Sequence, residues 1–81
     1  MNEIPIAIVL NSTDGYINYA CAVYESDGFM QVENNLLIEY PDLKFKKIFY
    51  LCHGAPINKF KTIKDNNITN NSRIVAIIQN F

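Results

Sequence analysis

Two cysteines and one histidine are the residues of this chain best suited to chemistry, and Cys52 and His53 are direct neighbours. A cysteine beside a histidine can form a nucleophilic pair in which the imidazole takes the thiol proton. In the strand predicted for this segment, however, adjacent side chains point to opposite faces, so the two groups cannot meet. Cys21 has no second histidine to act as its base. The sequence therefore predicts two cysteines that behave as small core hydrophobes, and no enzyme.

The chain lacks the residues that a metal or cofactor site needs. A metal site takes three or four ligands at workable spacing, and one histidine with two distant cysteines is a weak set. The chain has three glycines, and they form no glycine-rich phosphate loop. We therefore predict no catalytic residue, no metal ligand and no cofactor.

Length and composition indicate one small domain over residues 1–81, with 49% hydrophobic residues for its core. Two cysteines are too few for the disulfide framework of a small secreted domain. The apolar stretch at residues 4–10 is short and lacks a cationic leader, so neither a secretory signal nor a membrane span is predicted. We expect an intracellular protein, in the cytoplasm or in an organelle such as the mitochondrion.

Acidic and basic residues are separated along the chain. Residues 1–43 hold seven acids and no lysine or arginine, whereas residues 44–81 hold all seven bases and one acid, Asp65. The folded domain should therefore be an electrostatic dipole. Two interpretations stay open: attraction between the halves within one molecule, and oriented docking against a charged partner. The bases are too sparse among apolar strands to predict nucleic-acid binding.

The chain opens with the pattern of a β-hairpin. Residues 4–10 alternate in hydrophobicity, which places the even-numbered side chains, Ile4 included, on one face of a strand. Turn formers occupy residues 11–15, and residues 16–25 alternate again. We therefore predict two antiparallel strands joined by a tight turn.

A helix is predicted next. Apolar residues recur at intervals of three and four from Phe29 to Leu36, as on one stripe of a helix. Ser26 or Asp27 can accept the first free amides, and Pro41 pushes the residue before it out of the helical region. These limits predict a helix of about a dozen residues, an ordinary length.

The last third of the chain carries a characteristic spacing: a strand, a histidine–glycine turn, an apolar residue three positions on, a short threonine–isoleucine element and a closing strand. The residues concerned are Gly54, Ile57, Thr62, Ile63, Asp65, Ile68 and the strand 73–78. Glycine suits a turn with positive φ, and threonine or aspartate suits the free amides of a helical start. This spacing resembles the second half of ubiquitin, and more loosely the resemblance covers nearly the whole chain.

The resemblance implies an α+β ubiquitin-like β-grasp fold, a mixed sheet of four to five strands with one crossover helix. A third strand is predicted at residues 46–52, and residues 62–68 would form a one-turn helix. The almost entirely apolar strand 73–78 suits a central position, parallel to the first strand and antiparallel to the third. The expected core contains Val23, Val32, Leu36, Tyr50, Ile57, Ile63, Ile68, Ile74 and Ala76.

The resemblance also implies a recognition surface on the exposed face of the sheet. The corresponding positions are Leu51 in the third strand and Val75 and Ile77 in the last, with Phe49 as an added aromatic and Lys47 as a basic margin. Four apolar residues on adjoining strands require an explanation, because a contiguous patch usually marks a binding surface. We call these five residues the sheet-face patch. The alternative surface is the acidic helix face that carries two glutamates, at positions 33 and 39.

Differences from the family pattern reduce the number of functions that the resemblance allows. The chain ends without the Gly-Gly of a conjugated modifier, and Ala55 and Asn70 replace two lysines. Asn66 stands where the family often has a tyrosine that braces a loop, so this loop is expected to be looser or differently closed. We therefore expect a non-catalytic interaction module, a small accessory or structural subunit of a larger intracellular complex, with protein partners and neither nucleic acid nor a membrane span. The alternative is a ubiquitin-like modifier, or a fragment of one, whose conjugation tail is absent from this chain.

Overall fold

The computed structural model of the protein describes residues 3–79. In chain order its elements are β1 (Ile6–Ser12), β2 (Asn18–Val23), α1 (Phe29–Glu39), a 3₁₀ helix (Pro41–Phe45), β3 (Lys47–Cys52), β4 (Ala55–Pro56) and β5 (Ser72–Gln79). The strands form one five-stranded sheet in the order β2-β1-β5-β3-β4. The buried residues of α1 pack with those of the strands in one core, so the helix crosses one face of the sheet.

The central position of β5 agrees with its apolar sequence. It pairs parallel to β1, with Leu10 opposite Ile74, and antiparallel to β3, with Tyr50 opposite Ala76. Both edges of β5 are therefore hydrogen-bonded to neighbouring strands. The predicted pairing of the last strand with the first and third is confirmed, and the architecture is the mixed α+β sheet expected of a β-grasp fold.

The core lies between α1 and the inner face of the sheet. Eight of the nine residues predicted for it are buried, and Ile57 is half-buried against them. Ile57 follows β4, and its amide donates to the Tyr50 carbonyl at 2.9 Å. This hydrogen bond continues the contact between β4 and β3 by one residue. A residue at an edge has a neighbouring strand on one side only, which explains its partial exposure.

Three of the four predicted ends of the hairpin strands were too long, and the fourth was too short, because β1 continues to Ser12, two residues beyond its predicted end. β1 begins at Ile6 because Ile6 pairs with Val23, the last residue of β2, and Ile4 has no strand opposite and is exposed. Pro5 lacks an amide and suits a position just before a strand. Beyond β2 the Tyr24 amide donates to the Asp27 carboxylate at 2.8 Å, which turns the chain out of the sheet.

The predicted side-chain cap of α1 was also wrong. Gly28 occupies the cap position, and no side chain hydrogen-bonds to the helix start there. The Ser26 hydroxyl donates instead to Glu3 at 2.7 Å. The Phe29 amide donates to the Lys61 carbonyl at 3.0 Å, so backbone from a distant loop satisfies the first turn of the helix.

Residues 63–67 form consecutive turns rather than the expected one-turn helix. Thr62 has the predicted role, since its hydroxyl accepts the Asp65 amide at 3.1 Å. Asn66 closes the loop with its side chain: Oδ1 accepts the Asn58 amide at 2.8 Å, and Nδ2 donates to the carbonyls of Asn58 at 2.9 Å and Thr62 at 3.0 Å. The loop is therefore differently closed, and a short amide side chain braces it.

Candidate functional site

The strand register brings the sheet-face patch together. Leu51 lies opposite Val75, and Phe49 lies opposite Ile77, on the antiparallel pair β3 and β5. Side chains directly opposite each other in such a pair are in contact distance, and residues two positions apart on one strand share a face. The four apolar side chains thus form one continuous surface.

This surface is on the side of the sheet away from α1. Patch residues alternate along β3 and β5 with core residues such as Tyr50 and Ala76, which are buried under the helix. Leu51, Val75 and Ile77 are half-buried by their cross-strand neighbours, while Phe49 keeps 45% of its surface exposed. The patch has the exposure that a docking partner could cover.

Basic side chains stand at both ends of the patch. The Lys47 ammonium lies 5.6 Å from the centroid of the Phe49 ring, a cation–π distance. Arg73 is exposed on β5 two residues before Val75, and therefore on the same face. Sequence reasoning missed Arg73 although the two-residue period of the strand would have found it.

The cysteines lack the properties of a catalytic nucleophile. Cys52 is buried on the core side of β3, and burial raises the pKa of its thiol, partly opposed by a hydrogen bond with Ser72. Cys21 is half-buried, and burial raises its pKa as well. A reactive cysteine instead needs a lowered pKa. His53 is exposed beyond the end of the strand, so it does not share the surroundings of Cys52.

The part of the chain that the structure describes has neither a metal-binding cluster nor a membrane-spanning helix. Within residues 3–79, no group of three or more histidine, cysteine, aspartate or glutamate side chains could hold a metal ion. In the same part of the chain, no helix has both the length and the apolar character needed to cross a membrane.

A buried polar cluster links α1, β3 and the loop after β4. The Tyr50 hydroxyl donates to Oε2 of Glu33 at 2.8 Å, and the Lys59 ammonium lies 3.3 Å from the same oxygen. Burial and the hydrogen bond to Glu33 raise the pKa of Tyr50, so its hydroxyl keeps the proton that it donates. Glu33 is the one carboxylate paired with a lysine or arginine within residues 3–79.

The prediction that Glu33 lies on an exposed acidic helix face with Glu39 is wrong. Glu39 is exposed, whereas Glu33 is buried in the side of α1 that faces the core. Its spacing could have revealed this, because Glu33 follows Phe29 by four residues and precedes Leu36 by three. The proposed alternative docking surface is therefore reduced to Glu39 and is no longer a cluster.

We expect Glu33→Ala to lower the free energy of unfolding by about 1 to 3 kcal/mol, because the buried Tyr50 hydroxyl loses its acceptor and Lys59 its counter-charge. Glu33→Gln retains an acceptor oxygen of the same size and should lose less. Urea denaturation of the two variants measures the difference. Equal losses in both would show that charge alone matters, and no loss in either would exclude a structural role for the cluster.

Comparisons with known proteins support the fold. No protein-family model and no curated protein matches the sequence. The structure is similar to the solution NMR structure of the ubiquitin-like domain of an Arabidopsis thaliana protein, with a TM-score of 0.78 and 12% sequence identity. The match covers 95% of this chain and 80% of that chain. Together with the strand order and the single crossover helix, this similarity establishes that the chain has the ubiquitin-like β-grasp fold.

Proposed function

We propose that the protein is a non-catalytic interaction module that binds a protein partner through the sheet-face patch, as a small subunit of a larger intracellular complex. The observation that carries the proposal is the continuous apolar surface of Phe49, Leu51, Val75 and Ile77 on the side of the sheet opposite α1. Apolar side chains gathered on one exposed face favour burial against a partner.

The chemistry of the patch suits a protein surface. An apolar centre supplies affinity when water leaves it, and Lys47 and Arg73 at its ends supply orientation. Phe49 is suited to be the central anchor, because aromatic side chains dominate interface energies and its ring is already held by Ile77 across the strand and by the Lys47 ammonium. Such a preformed surface loses little side-chain entropy on binding.

A non-catalytic role is supported by the state of the potential nucleophiles. Both thiols have raised pKa values, and ubiquitin-like domains are generally not enzymes. Both cysteines are free, which suits a reducing compartment inside the cell.

The test begins with mild isolation of the protein from its own cells and identification of the proteins that co-purify. The affinity of each purified candidate for the parent is then compared, by isothermal titration calorimetry, with its affinity for a variant carrying both Leu51→Asp and Ile77→Asp. Two carboxylates would stand where the partner must exclude water, while the core is left intact. We expect affinity to fall at least about tenfold, or about 1.4 kcal/mol.

A matched control adds the same charge to the same face of the sheet, but on β2, the strand at the opposite edge. Ala20 and Ala22 are exposed on β2 and pair with Val9 and Ala7, so Ala20→Asp with Ala22→Asp places two carboxylates away from the patch. Its affinity should stay close to that of the parent, with unchanged circular dichroism in both variants. Equal affinity of the parent and the Leu51/Ile77 variant would show that binding occurs elsewhere.

A further inference from the structure

A cleft of about 240 Å³ opens beside the buried polar cluster, at the junction of α1, the 3₁₀ helix and the start of β3. It is separate from the sheet-face patch apart from Lys47, which borders both. We call it the lysine cleft. The residues that line it are Glu33, Leu37, Leu43, Lys44, Lys46, Lys47, Ile48 and Lys59.

Charge in the lysine cleft is unbalanced. Four lysines and one glutamate line it, but the Lys47 ammonium lies over the Phe49 ring of the sheet-face patch, so the other three lysines and Glu33 leave two positive charges in excess. The Glu33 carboxylate is already bound to Lys59 and to the Tyr50 hydroxyl. Within residues 3–79, the cleft lysines other than Lys59 make no ion pair. The cleft therefore presents ammonium groups that an external anion can approach.

Asp14 is an acidic side chain of the protein itself that interacts with this charge. The pKa of Asp14 is lowered mainly by hydrogen bonds from the Ser12 hydroxyl and the Tyr16 amide, with a smaller effect from Lys46. Asp14 is exposed, and the distance is too long for an ion pair. Water and salt screen such a contact, so it leaves Lys46 available.

The base of the lysine cleft is apolar. Leu43 and Ile48 belong to the core cluster, and Leu37 packs half-buried against it. Three large apolar side chains that are next in the chain to lining residues are exposed. These are Ile38 with 76%, Phe45 with 78% and Phe60 with 87% of their surface exposed.

The size of the lysine cleft restricts what it can hold. Small-molecule and cofactor sites usually enclose about 300 to 1,000 Å³, more than is available here. A phosphate group alone would leave the apolar base uncovered, and phosphate sites are commonly built from backbone amides at helix starts or from bidentate arginines. A ligand with one apolar side chain and carboxylates on either side could cover the apolar base and pair with the lysines at the rim.

We propose that the lysine cleft binds an acidic peptide segment of a partner protein that carries one bulky apolar side chain. The apolar side chain would lie over Leu37 and Ile48, and the flanking carboxylates would pair with Lys44 and Lys46. Charge complementarity carries this assignment, because the cleft has ammonium groups without carboxylate partners above an apolar base. It goes beyond the sheet-face proposal and makes the protein a two-site adaptor.

The probe is a fluorescein-labelled peptide with one phenylalanine between two runs of glutamate, titrated with the protein and followed by fluorescence anisotropy. A second peptide replaces the phenylalanine with alanine. The first peptide should bind the parent, and the second should bind at least about tenfold more weakly, since it has no large apolar side chain to bury over the base of the cleft. Higher salt should weaken both.

The decisive variant carries Lys44→Glu and Lys46→Glu, which reverse the rim while leaving the core in place. The matched control carries Lys61→Glu and Lys64→Glu, two exposed lysines that do not line the cleft, so both proteins have the same net charge. We expect the cleft variant to lose at least about tenfold in affinity and the control to stay within about threefold of the parent. Equal losses in both variants would show that binding depends only on the net charge of the protein, and would overturn the proposal.

Other occupants give different results. Tighter binding of a fluorescein-labelled oligonucleotide than of the peptide, with the same sensitivity to Lys44→Glu and Lys46→Glu, would assign the cleft to phosphate and refute the peptide. Sedimentation that shows self-association of the parent, abolished in the cleft variant, would assign it to the acidic half of a second copy. Absence of peptide binding by the parent would also refute the proposal.

Discussion

A Phe29→Ala variant should lose about 3 to 5 kcal/mol of the free energy of unfolding, which is the cost of truncating a fully buried phenylalanine. Phe29 begins α1 with 0% of its surface exposed, and its ring contacts the edge of Tyr50 at a centroid distance of 5.0 Å. Removing the ring eliminates the stabilisation from its buried apolar surface and from the aromatic contact with Tyr50. It also loosens Tyr50, whose hydroxyl is bonded to Glu33.

Urea denaturation followed by circular dichroism measures this loss, and Phe60→Ala is the matched control. Phe60 is the same residue type with 87% of its surface exposed, so its replacement should change the free energy of unfolding by no more than about 0.5 kcal/mol. A loss below about 1 kcal/mol for Phe29→Ala would contradict the packing of α1 on the sheet.

Leu36→Ala should lower the free energy of unfolding by about 2 to 5 kcal/mol. Leu36 is fully buried at the C-terminal end of the apolar stripe of α1, and its replacement leaves a cavity in the core. Alanine has the higher helix propensity, so the loss is one of packing and not of helix formation. The same urea titration measures it.

The matched control for this helix position is Ile38→Ala, two residues away on the exposed side of α1. It should be neutral or slightly stabilising, because no packing is lost and helix propensity improves. If Leu36→Ala fails to fold, Leu36→Met, which conserves volume, should still cost less than about 1.5 kcal/mol. Similar effects of Leu36→Ala and Ile38→Ala would place Leu36 outside the core.

Local patterns were enough to predict α1, the strands β1, β2, β3 and β5, and most of the core. The two-residue period of β3 and β5 separated the core side of each strand from the patch side, and the helical spacing from Phe29 to Leu36 identified the buried stripe of α1. These predictions succeeded because burial repeats with the geometry of the element itself. Strand ends failed at Ile4 because a strand stops where its partner stops, which no local pattern records.

The sheet-face patch was predictable from the fold resemblance and the strand period together. Register decides which residues meet across a sheet, and a β-grasp order puts β3 beside β5, so Leu51 and Val75 became neighbours once that order was assumed. Arg73 belongs to the same face by the same period. Sequence reasoning had limited the margin to Lys47, and the structure adds a cation at the opposite end.

The sequence alone thus determined α1 and the four longer strands, most of the apolar core, and the separation of acids from bases along the chain. Only the tertiary structure decided that Glu33 pairs with Tyr50 and Lys59, that the Lys61 carbonyl completes the start of α1, and that lysines from separate segments line one cleft. The physical reason is distance along the chain. Charge pairs and backbone contacts between remote residues depend on the packed geometry of several elements, whereas periodicity depends on each element alone.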